Sequence, residues 1–82
     1  MQAAEVKIKG IVQGVGFRPF IHRLVRAYGL KGTIRNTSSG VTLELEGEGE
    51  AIRRFLTALP TEAPPLAVIE EISSREIPLK GF

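Results

Sequence analysis

The chain has 82 residues and contains no cysteine, no tryptophan and no aspartate, with a single histidine. Without cysteine there is no disulfide framework, thiolate nucleophile or zinc-finger spacing. Nucleophilic triads and metal clusters are poorly supported without aspartate, so we expect neither metal nor cofactor. No apolar stretch approaches the roughly 20 residues that span a bilayer, and the first ten residues lack the order of a secretory signal. We expect a cytoplasmic protein with no membrane partner.

What is present is an ordinary globular composition, 43% hydrophobic and 24% charged, with an uneven distribution of charge. The length and composition predict one small domain over residues 1–82. Residues 1–36 carry seven basic side chains and one acidic one, whereas the rest of the chain carries four basic and eight acidic ones. A positive first half would steer a small anion towards the protein. Scattered, solvated charges explain the asymmetry equally well.

The spacing of apolar residues predicts the element order β-α-β-β-α-β. Alternation and turn signals place strands over 6–12, 30–36, 41–46 and 66–77, and apolar residues at three- and four-residue steps place helices over 17–28 and from about 52 to Pro60. We expect Pro60 to end the second helix, because proline lacks the N–H that a helix needs. The order is that of an α+β, ferredoxin-like βαββαβ sandwich, an antiparallel sheet with two helices on one face. This fold hosts many functions, so function must come from a site.

The run Gly10-Ile-Val-Gln-Gly-Val-Gly-Phe-Arg18 lies between the first predicted strand and the first predicted helix. Closely spaced glycines let the backbone turn tightly and present several N–H groups inward, and Arg18 follows where the helix begins. Pro19 suits the first helical turn. Amides, a helix N-terminus and a guanidinium together favour an oxyanion such as phosphate. A tight turn alone would also explain the glycines.

Asn36 lies at the end of the second predicted strand, just before the turn Thr37-Ser-Ser-Gly40. A carboxamide both donates and accepts hydrogen bonds, so it can orient a water molecule without becoming charged; a turn-forming role is the alternative. Hydrolysis of an acyl phosphate suits such residues, because its carboxylate leaving group needs no proton. The protein would supply positioning and electrostatic stabilisation of the phosphoryl group.

Two motifs resemble those of the acylphosphatase family. The first is Gly10-x-Val-Gln-Gly-Val-Gly-Phe-Arg18, and the second is Gly32-x-x-x-Asn36-x-x-x-Gly40 followed by Gly47. The resemblance implies an acyl phosphate hydrolase with Arg18 and Asn36 as catalytic residues, Arg18 binding phosphate and Asn36 orienting the attacking water. It also implies that phosphate is bound by the loop formed by Gln13, Gly14, Val15, Gly16, Phe17 and Arg18.

A closer resemblance is to the N-terminal acylphosphatase-like domain of the hydrogenase maturation carbamoyltransferases. It is carried by Gly16-Phe-Arg-Pro-Phe20 and Pro64-Pro-Leu-Ala67. It implies that carbamoyl phosphate is the substrate and that residues 1–82 are the N-terminal part of a larger protein with further domains as partners. The sequence ends where the family's last edge strand would begin, so we expect that strand to be cut short or missing.

The remaining polar residues are expected to have structural or surface roles and not to take part in a functional site. We expect His22 to be a surface histidine, Gln13 to brace the loop through its side chain, and Arg35 to be exposed. The glutamates of the third strand and the following turn, Glu44, Glu46, Glu48 and Glu50, are expected to face solvent or lie at turns rather than bind a metal.

Two other functions remain open. One is a phosphate- or carbamoyl-phosphate-binding or regulatory domain with low turnover, because Pro19 beside Arg18 alters the pocket. The other is RNA binding on the sheet, which is weak because such sheets stack bases on strand aromatics. Here the aromatic residues fall on loop or helix positions, with only Phe82 near a strand, so we expect no nucleic-acid partner.

Overall fold

The computed structural model describes residues 1–81, and Phe82 lies outside the described residues. Within that range the elements are β1 (Gln2–Ile11), α1 (Phe17–Ala27), β2 (Lys31–Thr37), β3 (Gly40–Gly47), α2 (Gly49–Glu62) and β4 (Val68–Ile77). The predicted element order is confirmed. Neither helix in this part of the chain has the length and apolarity needed to cross a bilayer.

The four strands form one antiparallel sheet in the order β2-β3-β1-β4. Alternate residues of β1 and β3 face the two helices, and they are buried together with one side of each helix in a single hydrophobic core. Both helices therefore cover the same face, which confirms the ferredoxin-like prediction. The largest side chains in this core are almost fully buried: Phe17, Phe55, Ile8, Ile21, Leu43, Leu45 and Leu59. Each contributes about 1.5–3 kcal/mol by leaving water.

A β-bulge interrupts the pairing of β1 with β4. Lys9 pairs with Glu71 but Gly10 pairs with Ile69, so Glu70 is an extra residue on β4. Because of this insertion Ile69 and Ile72, three residues apart, both pack against the core. The bulge explains why alternation fails around residues 68 and 69. It also requires glycine at position 10, where a Cβ atom would lie 2.0 Å from the carbonyl oxygen of Val68.

The prediction that Pro60 ends the second helix is wrong, because α2 continues to Glu62. Proline's fixed φ is compatible with a helix, and the cost is mainly one missing N–H hydrogen bond and local crowding. Ala58 and Leu59 are buried in the core, and this packing holds the last turn in place. The hydroxyl of Thr61 also donates to the carbonyl oxygen of Ala58 at 2.9 Å.

The residues after β4 fold back over the helix-free face of the sheet. The backbone N–H groups of Lys80 and Gly81 both donate to Oε2 of Glu46, the latter at 2.9 Å, and Nζ of Lys80 lies 2.7 Å from Oε2 of Glu44. The expectation that Glu46 faces solvent is therefore wrong: it is only 5% exposed, because this segment covers it. No strand follows β4 among residues 78–81. The expected further edge strand includes Phe82, which lies outside the described residues.

The helix-free face also carries an ion pair between neighbouring strands. Nε of Arg75 on β4 donates to Oε1 of Glu5 on β1 at 2.8 Å, at directly paired positions. This hydrogen bond lowers the pKa of Glu5, and the charges of Arg75, Lys7 and Arg35 lower it further. Arg75 therefore ties the edge strand β4 to the centre of the sheet.

We expect the difference in stability between the wild type and Glu5→Gln to depend on pH. Because the pKa of Glu5 is lowered in the folded state, its ionised form stabilises the fold above the pKa of the unfolded chain. That contribution is lost as the pH falls through the folded-state value. Urea unfolding at neutral pH and near pH 3 measures the difference, which should be larger at neutral pH. Arg75→Gln should reduce this pH dependence, and a difference that grows towards acid pH would contradict the assignment.

Candidate active site

The glycine-containing loop, residues 12–16, connects β1 to α1 and lies against the hairpin turn between β2 and β3. The side chain of Gln13 makes this contact: its Nε2 donates to the carbonyl oxygen of Thr37 at 2.7 Å and to that of Gly40 at 3.0 Å. The structure therefore shows Gln13 as the brace that was expected from the sequence. Through this one side chain the loop is tied to the strand end that carries Asn36.

The backbone N–H groups of the loop point to anion binding because they have no acceptor within residues 1–81. Neither a backbone carbonyl nor a side chain accepts a hydrogen bond from the amides of residues 13–18; the first such bond in this region runs from the N–H of Phe20 to the oxygen of Gly16. Gly16 caps α1 with φ 77°, a left-handed conformation that favours glycine, and no side chain caps the helix. A row of free donors therefore meets the positive end of α1.

Apolar side chains anchor the loop from below. Val12 and Phe17, which flank it, are each 1% exposed, and Val15 packs against the core between them. The rings of Phe17 and Phe20 lie 5.5 Å apart at a tilt of 55°, an arrangement that aromatic pairs favour. Because its apolar side chains are fixed in the core, the loop does not need a ligand to keep its shape.

Arg18 is the second residue of α1 and is exposed. It makes no ion pair or hydrogen bond within the described part of the chain, and the first turn of the helix contains no acidic residue. Its guanidinium is thus free to form the paired, charge-assisted hydrogen bonds that oxyanions accept. It starts from the same turn as the free amides.

Asn36 lies on β2 opposite Val41 of β3, next to the last residue of the strand. Ile34, two residues earlier, packs against the core, so the alternation of the strand puts Asn36 on the helix side of the sheet. Its carboxamide is exposed and makes no hydrogen bond within residues 1–81. The structure therefore brings Asn36 to the same layer and the same end of the sheet as the loop.

A depression of about 430 Å³ lies where the loop begins, between β1, the hairpin turn and the β4 bulge. From the hairpin turn it is lined by Ser38, Ser39 and Gly40, which the sequence indicated as turn residues, with Gly40 also part of the second motif; sequence reasoning missed Glu70 of the bulge. The turn approaches β1 closely at Gly40, where a Cβ atom would lie 1.9 Å from the carbonyl oxygen of Ile8. Arg18 and Asn36 do not line this depression. The groups expected to bind phosphate, which are the unpaired loop amides and Arg18, therefore lie beside the depression and not inside it.

His22 and Arg35 are exposed, as expected from the sequence. Among residues 1–81, no group of three or more histidine or acidic side chains is arranged to hold a metal ion. On the helix side of this end of the sheet, the polar groups available to a small molecule include the loop amides, the carboxamide of Asn36 and the guanidinium of Arg18.

We expect Gln13→Ala to lower the free energy of unfolding by about 1 kcal/mol, because it removes two hydrogen bonds to carbonyl oxygens. It should also loosen the loop from the hairpin turn and weaken binding of inorganic phosphate, measured by calorimetry beside a urea unfolding curve. Gln13→Glu should be worse, since its carboxylate would face the same two carbonyl oxygens. Phosphate affinity equal to that of the wild type in both variants would contradict the bracing role.

The fold and the loop define a class: small ferredoxin-like domains with a glycine-containing loop of unpaired backbone N–H groups at the start of the first helix. Sequence comparison places the chain within it, because the acylphosphatase family model matches residues 4–82. The acylphosphatase of Thermotoga maritima is 40% identical over 83 residues, covering 100% of this chain and 91% of that protein. The chain belongs to the acylphosphatase family, and the expected enzyme class is confirmed.

Carbamoyltransferases share the same domain. The probable carbamoyltransferase HypF of Methanocaldococcus jannaschii is 44% identical over 72 residues, which are 88% of this chain and 9% of that protein. A crystal structure of full-length HypF in the phosphate- and nucleotide-bound form matches with TM-score 0.94 and 46% identity, over 99% of this chain and 11% of that one. The crystal structure of the acylphosphatase from Bacillus subtilis matches with TM-score 0.91 and 30% identity, over 99% of this chain and 91% of that one.

These two kinds of relative differ in length. The chain spans nearly the whole of the acylphosphatases but only about a tenth of the HypF proteins that it matches. The resemblance to both acylphosphatases and HypF domains that the motifs indicated is confirmed.

Proposed function

We propose that this chain hydrolyses acyl phosphates to a carboxylate and inorganic phosphate. The observation that carries the proposal is the set of free amides over residues 13–18 beside an unpaired Arg18. Membership of the acylphosphatase family supports it. A phosphoryl group accepts hydrogen bonds from several such donors at once.

In the proposed complex the phosphoryl group sits against the loop amides at the N-terminus of α1. Two of its oxygens accept hydrogen bonds from the guanidinium of Arg18, which balances their charge and fixes their orientation. Positioning and charge stabilisation are the main terms in phosphoryl transfer. The loop is anchored in the core and braced by Gln13, so little reorganisation is needed when the ligand binds.

Asn36 would orient the attacking water. Its carboxamide oxygen accepts a hydrogen bond from the water, which then attacks phosphorus opposite the acyl oxygen. The new bond joins the water oxygen to phosphorus, and the bond from phosphorus to the acyl oxygen breaks with its electron pair going to the carboxylate. The water protons go to the phosphate product and to solvent. Because a carboxylate leaves without being protonated, no general acid is required, which fits the residues found at the site.

We further propose that carbamoyl phosphate is the acyl phosphate handled by this chain, within a longer protein of hydrogenase maturation. The support is the identity of 44% and 46% to carbamoyltransferases named HypF and HypF2 and the phosphate-bound state of one matching structure. Hydrolysis at phosphorus would give carbamate and phosphate. Further domains of such a protein would then be the partners of this one.

Phosphate release from benzoyl phosphate and carbamoyl phosphate tests the activity directly. We expect saturable turnover above the buffer rate, inhibition by inorganic phosphate, and little turnover of phenyl phosphate, whose leaving group is far more basic. Turnover of carbamoyl phosphate with a higher kcat/KM than benzoyl phosphate would support the carbamoyl assignment. Phosphate binding without turnover of either acyl phosphate would overturn the hydrolase proposal in favour of a binding or regulatory domain, the alternative raised above for Pro19 beside Arg18.

A further inference from the structure

The helix-free face of the sheet carries a row of polar residues at directly paired positions, one from each strand. In the order of the sheet these are Arg35, Thr42, Lys7 and Ser73. Two of the four are cations and none is acidic. Because adjacent strands lie about 4.8 Å apart, the backbones of Arg35 and Lys7 are roughly 9–10 Å apart on either side of Thr42.

Neither cation of this row is paired. Lys7 and Arg35 make no ion pair or hydrogen bond within residues 1–81, whereas several other charged residues of the face do. Arg75 binds Glu5, Lys9 lies 4.0 Å from Glu71, and Lys80 binds Glu44. The charges of this row also act on the nearby carboxylate of Glu5: after the larger effect of Arg75, Lys7 and Arg35 both lower the pKa of Glu5.

A depression of about 270 Å³ lies over the part of this row formed by Arg35, Thr42 and Lys7. Its other polar lining residues are Thr37, Ser39 and a third cation, Lys9, which lies 4.0 Å from Glu71. The C-terminal segment covers the neighbouring positions of β3 through Glu44 and Glu46, and the depression lies beyond it. The depression is therefore lined by the hydroxyl groups of Thr37, Ser39 and Thr42 and by the positively charged side chains of Lys7 and Arg35.

We propose that this depression is a second anion site, and that it binds a small phosphate-class oxyanion between Lys7 and Arg35. A doubly charged oxyanion suits two cations that approach from opposite strands, and the guanidinium of Arg35 matches its oxygens. The hydroxyls of Thr42, Thr37 and Ser39 supply neutral donors. We propose a small ion and not a nucleic-acid strand, because the aromatic residues among residues 1–81, namely Phe17, Phe20, Tyr28 and Phe55, all belong to the helix side, and RNA-binding sheets stack bases on strand aromatics.

This site is separate from the loop cradle. Arg35 and Asn36 are neighbours on β2, so their side chains lie on opposite faces of the sheet. The cradle faces the helix layer and uses amides, whereas the second site uses strand side chains. The same hairpin thus carries polar residues for an anion on each of its faces.

Titration of the isotopically labelled chain with inorganic phosphate, at constant ionic strength and followed by amide NMR, tests the proposal. We expect two independent saturable curves, one reported by residues 13–18 and one by Lys7, Arg35 and Thr42. Arg35→Gln and Lys7→Gln should each lower the phosphate affinity given by the second curve about tenfold and leave the affinity given by the first curve unchanged. Arg18→Ala should remove the first and leave the second.

Lys31→Gln is the matched control, because Lys31 lies on the same strand and the same face, opposite Glu46 in the register, but does not line the depression. It should leave both curves unchanged. An equal loss of phosphate affinity in Lys31→Gln and Arg35→Gln, or chemical-shift changes on the helix-free face that do not saturate, would indicate a diffuse positive field and would overturn the proposal. Acetate binding at the helix-free face as tightly as phosphate would overturn the assignment to a phosphate-class ligand.

Discussion

Arg18→Ala is expected to lower kcat/KM for benzoyl phosphate by about 10³-fold, the scale found when an arginine that stabilises a transferring phosphoryl group is removed. Arg18 is unpaired and lies beside the free amides of the loop. Its replacement therefore breaks no ion pair or hydrogen bond within residues 1–81, and we expect the variant to fold normally. Both the affinity for inorganic phosphate and the turnover should fall. Steady-state phosphate release and calorimetric titration with phosphate measure the two effects separately.

Arg23→Ala is the matched control for this prediction. Arg23 lies on the same helix and is exposed, but it sits more than one turn further from the loop. Its loss should change kcat/KM less than about twofold, as expected for a screened surface charge. Equal losses in the two variants would show that Arg18 acts only through the overall charge of the helix and would contradict its contact with the phosphoryl group.

Asn36→Ala is expected to lower kcat by about 10²-fold, a scale typical of removing one aligned polar group from an active site. The affinity for inorganic phosphate should stay near the wild-type value, because Asn36 acts on the water and not on the phosphoryl group. The same two measurements used for Arg18 therefore separate the roles. Arg18→Ala loses binding and turnover together, whereas Asn36→Ala loses turnover alone.

Thr33→Ala controls for general damage to β2. Thr33 is an exposed polar residue of the same strand, three positions before Asn36 and on the opposite face. It should keep wild-type kcat, and both variants should unfold at similar urea concentrations, since Asn36 makes no hydrogen bond within the described residues. Loss of phosphate affinity in Asn36→Ala together with kcat would contradict the water-orienting role.

The sequence was sufficient for the element order because its local signals agree with one another. The alternation in β3, the apolar stripe of α1 and the glycine that follows that helix all favour the same boundaries. It failed at Pro60, where burial of Ala58 and Leu59 outweighs the missing N–H, and around residue 70, where one inserted residue changes the face of the strand. Both failures are tertiary effects that local periodicity does not contain.

The site was predictable in part for the same reason. Glycines followed by Arg18 indicate an anion loop wherever a strand precedes and a helix follows, and that context is local. The link from Gln13 to Thr37 and Gly40 spans more than twenty residues, so its partners were beyond sequence reasoning. The burial of Glu46 was missed because it depends on the fold-back of residues 78–81.

The central claim is that water, oriented by Asn36, attacks the phosphorus atom of an acyl phosphate held by the loop and Arg18. Hydrolysis of benzoyl phosphate in ¹⁸O-labelled water, corrected for the reaction in buffer alone, tests this directly by mass spectrometry of both products. The account predicts that the enzymatic reaction places the label in phosphate and leaves benzoate unlabelled. Label in the carboxylate of benzoate would mean attack at the acyl carbon and would contradict it.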